Sequence, residues 1–94
     1  MKLSDKFDDL QSASVKILRD SGSPESIVLF SEKLAVFFES LMLEVSQSGS
    51  LEVEVCIGVL KDIQLKMQTE DWIGLNETVM VSLEDLLEER VFVA

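Results

Sequence analysis

The sequence predicts an all-α fold, a four-helix up-and-down bundle, and three observations carry that prediction. Apolar residues recur at the three- and four-residue spacing of a helix through four stretches of the chain. Turn chemistry is concentrated at Asp20-Ser21-Gly22-Ser23-Pro24 and Ser46-Gln47-Ser48-Gly49-Ser50, with a lighter break at Gln68-Thr69. The connections left between the four stretches are short, and short loops make consecutive helices antiparallel neighbours. The expected helices cover approximately 4–20, 24–47, 51–68 and 70–90. At 94 residues the chain has the length of one domain, 1–94.

In the first segment Leu3, Phe7, Leu10, Ser14, Ile17 and Leu18 fall on one side of a helical wheel, an ordinary amphipathic stripe. This helix is expected to be the shorter or more loosely attached of the four. Gly22 can adopt the left-handed backbone that ends a helix. Ser23 is then a ready N-cap, and Pro24 occupies the preferred first helical position. In the second segment Ile27, Phe30, Leu34, Phe37, Phe38, Leu41 and Val45 make the main face. Leu29, Val36 and Leu43 sit at seven-residue spacing on the opposite side, flanked by Glu32, Lys33, Glu39 and Ser40.

Gly49 and Ser50 repeat the stop-and-start chemistry before the third segment. There Val53, Cys56, Ile57, Leu60, Ile63 and Met67 form the main stripe, while Leu51, Val55 and Val59 run along the other side, so the second and third helices carry apolar residues on both sides. Residues 51–57 also alternate with period two and are rich in β-branched side chains, which is a strand signal. A helix accounts for more of the segment, because the stripe continues to Met67. Thr69, followed by Glu70 and Asp71, places a cap and two negative charges where a helix N-terminus favours them. The fourth stripe is Trp72, Leu75, Val79, Leu83 and Leu86, widened by Met80 and Leu87. Its opposite side carries Asp71, Glu77, Glu84, Asp85, Glu88 and Glu89.

Composition narrows the function. Eighteen acidic residues against eight basic ones give a formal charge of −10, which disfavours binding to phosphate backbones or anionic membrane surfaces. Lys61 and Lys66 form no basic cluster, and no aromatic residues are interleaved with bases. No apolar run approaches the roughly 20 residues needed to span a bilayer. The N-terminus turns acidic before any apolar stretch appears, so no signal peptide is expected. A cytoplasmic protein with no membrane or nucleic-acid partner is the expectation.

Chemistry is equally sparse. There is no histidine and no tyrosine, so the commonest general acid–base group and metal ligand are missing. Cys56 stands alone, which leaves neither an intrachain disulfide nor a multi-cysteine zinc site. Its apolar neighbours Val55 and Ile57 mark it as a buried structural thiol rather than a nucleophile. Gly22, Gly49, Gly58 and Gly74 are isolated and make no phosphate-binding loop. Gly58, inside the third segment, leaves room for close approach of another backbone or for nothing in particular. The diiron bundle motif and the alternating Asp/Asn pattern of a calcium loop are both absent. No enzyme, catalytic residue, metal or cofactor is expected.

Asp71-Trp72-Ile73, with Leu75, Glu77 and Val79 and continuing to Leu83, Leu86 and Leu87, resembles the final helix of small, acidic all-helical bacterial proteins. Those share an Asp-aromatic-aliphatic start and an acidic residue six positions on; Met80-Val81-Ser82 stand here where further charge is expected. Length, acidity and helix content also resemble the flagellar export chaperones of the FliT, FlgN and FliS type. That resemblance implies a helical protein that holds an aggregation-prone subunit before export. It assigns no residue a role.

The apolar residues on more than one side of the second and third helices point to a non-enzymatic protein–protein interaction module. Leu29, Val36, Leu43, Leu51, Val55 and Val59 are the candidate contact residues. A homodimer is the simplest way to cover them, since two-fold dimers are the commonest oligomers. A chaperone-like groove for an amphipathic helix of another protein is the second solution. The third is that helix two runs through the centre and the others cover it all round. A different class also stands: an acidic inhibitor or nucleic-acid mimic that occupies a basic protein surface through Glu77, Glu84, Asp85, Glu88 and Glu89. Residues 1–22 hold four bases and four acids, whereas residues 69–94 hold seven acids and Arg90 alone, an asymmetry able to orient a partner. Solubility for an apolar chain accounts for the same acids. The terminal Val91-Phe92-Val93-Ala94 is apolar, and Phe92 is expected to dock.

Overall fold

A computed structural model describes residues 2–49 and 51–89. Helix α1 runs Leu3–Arg19, α2 Pro24–Ser48 and α3 Val53–Gln68. Helix α4 covers 72–87 as one rod in three stretches: Trp72–Glu77, a π-helical Thr78–Ser82, and Leu83–Leu87. Each helix packs on the next, and α4 returns to α1, which closes an antiparallel bundle. Among the described residues there is no strand, and the period-two stretch 51–57 is helical from Val53 onward.

The turns follow the expected chemistry with three changes. Ser23 caps α2, its Oγ accepting from the Ser26 amide at 3.3 Å, with Pro24 at the first position. At the end of α1 the left-handed residue that closes the helix is Ser21 (φ 53°), and Gly22 follows it at φ 74°. The Gly22 amide donates to the Ile17 carbonyl at 2.9 Å, the longer bond of a Schellman end. Gly22 is fixed by space as well, because the Trp72 indole lies where its Cβ would be. Gly49 ends α2 at φ 66°.

The third helix starts at Val53 with Glu52 as N-cap and no side-chain cap bond; Ser50, the expected cap, lies outside the described residues. Thr69 is not the cap of α4. It ends α3, its hydroxyl donating to the Leu65 carbonyl at 3.0 Å. Glu70 then takes the left-handed conformation at φ 56°, and its neighbour Asp71 becomes the cap, accepting from the Gly74 amide at 3.0 Å. The acid nearest the helix start has the right charge and a short side chain, so it displaces the threonine two residues earlier.

The core is built around Phe30, Phe37 and Leu41 of α2, which are fully buried. Phe7 of α1 packs on Phe37 with ring centroids 5.4 Å apart, and Phe38 meets Phe37 edge-on at the same distance. Helix α1 contributes Phe7, Leu10, Ala13, Ser14 and Ile17, and runs closely along α2. The expectation of a loosely held first helix is therefore wrong. Helix α3 is the less engaged one, with only Cys56 and Ile63 buried and sparser packing on α2 and α4. Val53 and Ile57, assigned to its core stripe, are exposed, as is Leu18 in α1.

In α4 the buried positions are Leu75, Val79, Leu83 and Leu87, with Thr78 beside them. These four apolar residues are spaced by four throughout. In a regular α-helix each such step drifts about 40°, or roughly 120° across the set, which would carry Leu87 off the core. The π turn from Thr78 to Ser82 is wider, with i→i+5 bonding, and absorbs that drift. The regular α-helix expected over 70–90 is thus interrupted, and Arg90 and the Val91–Ala94 tail lie outside the described residues.

Candidate interaction surfaces

The six candidate contact residues do not form one seam. Leu51 is buried at 5% exposure, and Leu29 and Val59 are half-buried against the core. Val36, Leu43 and Val55 are exposed, at 49%, 63% and 39%. The progression along Leu29, Val36 and Leu43 has a simple cause. A residue repeated every seven positions on a straight helix falls back about 20° per repeat. Leu29 starts half-buried against the core rather than opposite it, and each successive heptad turns further into solvent.

The surroundings of this row are charged and polar. Val36 lies beside Lys6, Asp9 and Lys33, and Leu43 beside Lys6, Ser40 and Glu44. Lys6 Nζ donates to Ser40 Oγ at 2.7 Å, tying α1 to α2 there. Val55 and Val59 share a face of α3 with Asp62 and Lys66, the side that meets α4. On that side Lys66 Nζ pairs with Asp62 Oδ2 at 2.9 Å and donates to Thr78 Oγ1 of α4 at 2.6 Å. The α2 row and the α3 row therefore face different directions, and no single flat partner covers both.

A surface the sequence reading missed lies between α2 and α3. It is a groove of ≈ 630 Å³ lined by Ser31, Leu34, Ala35 and Phe38 from α2 and Leu60, Gln64, Met67 and Gln68 from α3. The groove exists because Ala35 is small and because α3 stands off from α2. Its signal in the sequence was the pair of heptad rows Val28/Ala35/Met42 and Val53/Leu60/Met67. In the first, Ala35 is too small to mark a stripe; the second coincides with the main apolar stripe of α3. None of the eight lining residues is ionisable, in a chain of which 28% is charged.

The acidic residues of the alternative reading sit on α4. Glu77, Asp85, Glu88 and Glu89 are exposed and Glu84 is half-buried. They make no ion pair among the described residues, and the described residues hold no group of three His, Cys, Asp or Glu side chains able to bind a metal ion. Between α1 and α4 lies a small polar cluster: Asn76 Nδ2 donates to Ser14 Oγ at 3.2 Å, and Ser14 Oγ to the Gln11 carbonyl at 2.8 Å, while the buried Gln11 Nε2 has no hydrogen-bond partner among the described residues. Cys56 is buried, and that burial pushes its thiol above the ordinary range, outweighing a backbone hydrogen bond that acts the other way. A thiol so placed is held in its unreactive form. Among the described residues nothing within 4 Å would meet a Cβ at Gly58, so no described backbone approaches there.

Comparison with known protein families, with curated proteins and with solved structures gives no match. The surfaces themselves have to carry the functional reading. No helix among the described residues is long and apolar enough to cross a membrane.

Proposed function

We propose that the protein is a non-enzymatic protein–protein interaction module that acts by associating with itself. The observation that carries this reading is the concentration of exposed large aliphatic side chains on the two middle helices, three on α2 and four on α3 among the described residues. Fully burying an exposed aliphatic side chain recovers roughly 1.5–3 kcal/mol, and one already half covered about half of that, while bringing two molecules together costs about 4–15 kcal/mol in lost freedom. One or two contacts are therefore too few, and about three per copy are needed. Val28 on α2, with Val53 and Ile57 four residues apart on one side of α3, supply that number. The resemblance to export chaperones makes an amphipathic helix of another protein the competing occupant of the same surfaces.

Sedimentation from low micromolar to near millimolar concentration tests the reading. Mass should move from one chain to two as concentration rises. A single-chain species across the whole range would overturn it.

A further inference from the structure

We infer that the self-association surface is the groove between α2 and α3, occupied by the same groove of a second copy, with Lys61 of each copy facing Glu39 of the other. The inference rests on the self-association reading and adds the surface, the symmetry and the contacts.

The groove is the centre of a longer apolar face. Val28 lies one heptad before the groove residue Ala35 and Met42 one heptad after it, and Val53 lies one heptad before Leu60, which is itself one heptad before Met67. From position 28 to 42 on α2, and from 53 to 67 on α3, each row covers fourteen residue steps, about 21 Å of helix. Val28 and Val53 are exposed and Met42, Leu60 and Met67 are half-buried, so the face is open along its length. Two helices side by side make a strip near the small end of specific interfaces, which fits a weak, concentration-dependent dimer.

Charge selects the occupant. A chain of net charge −10 meets its own copy at an electrostatic cost everywhere except where the contact is neutral. The groove lining, Ser31, Gln64 and Gln68 at its rim included, has no ionisable group. A cationic partner finds no counter-charge there.

The edges of the groove are complementary under two-fold symmetry. Glu39 is four residues after Ala35 and forms the α2 edge; Lys61 is one heptad before the lining residue Gln68 and forms the α3 edge. Both are exposed, and neither makes an ion pair among the described residues. A two-fold axis parallel to the helices sets α2 of each copy against α3 of the other. Because α2 and α3 are antiparallel, Glu39 and Lys61 stand at the same end of the groove, so the axis brings them opposite one another twice.

The test is sedimentation equilibrium of the full chain and four variants, with far-UV circular dichroism to confirm the helices. Ala35→Glu is on the surface and should raise the dimer dissociation constant at least tenfold. Lys61→Glu should weaken the dimer several-fold, and Lys61→Glu combined with Glu39→Lys should restore it to near the parent. If the dimer survives Ala35→Glu but is lost in Val36→Glu, the groove is not the interface, while the self-association reading stands. If Lys61→Glu weakens the dimer and the double swap does not recover it, the proposed symmetry is wrong. If the parent never dimerises, both readings fall and the groove is left to an amphipathic helix of another protein.

Discussion

Cys56 shows how far a single side chain is governed by its surroundings. Burial disfavours the thiolate, so the native state keeps its proton to higher pH than the unfolded chain does. The unfolded state then binds fewer protons than the native state in the alkaline range, and unfolding free energy declines as pH rises there. The contribution is intact below the ordinary thiol range and fades as pH climbs through it toward the raised native value. Urea midpoints measured from neutral to pH 10 should therefore fall more steeply for the parent than for Cys56→Ala. The same burial should make iodoacetamide modification of the native protein far slower than of the urea-unfolded chain. Rapid native labelling, or equal slopes for the two proteins, would contradict this account. Glu70 is the opposite case: a side chain in a left-handed backbone that suits glycine, held there because the Asp71 amide must reach the Lys66 carbonyl, 2.9 Å away, to close α3.

Among the elements, α4 is the most informative. Its four-residue spacing keeps Leu75, Val79, Leu83 and Leu87 on one face only because Thr78–Ser82 holds one residue more than a regular helix needs. Deleting the exposed Val81 should convert the rod to ordinary α-helix with its core positions still aligned, at a cost below about 1 kcal/mol. Deleting exposed Ser12 from α1 should turn Phe7 and Leu10 about 100° away from the core and prevent folding. Thermal melts of both deletions check the pair; equal damage would mean that the π turn is not surplus.

Much of this architecture was legible in the sequence. Helix number, the Ser23-Pro24 start, the glycine-rich turns and the large core residues of α2 all follow from local periodicity and capping. The rest depends on facts that no single helix holds. A wheel drawn at 100° per residue cannot register a π turn. The distinction between core and shoulder in α3 depends on how closely α2 approaches, which is why Val53 and Ile57 were assigned to the core. Leu29, Val36 and Leu43 were grouped by their heptad although the straight helix winds them progressively outward. The groove was invisible because Ala35 contributes to it by lacking a large side chain.

At the level of the whole molecule the dominant quantity is the charge of −10, spread over faces other than the groove. Two copies repel at long range, and the repulsion is felt within about 10 Å at 0.1 M salt. The contact itself is apolar and neutral, so salt weakens only the two edge ion pairs while screening the larger repulsion. Dimerisation should therefore strengthen by a few-fold between low and moderate ionic strength, as read by sedimentation. A dimer that falls apart as salt is added would mean that attraction between opposite charges holds it. The contact of Trp72 with Gly22 joins the turn after the first helix to the beginning of the last. Since this is the chain's only indole, its emission wavelength is a native optical gauge of whether the first and last helices are latched together.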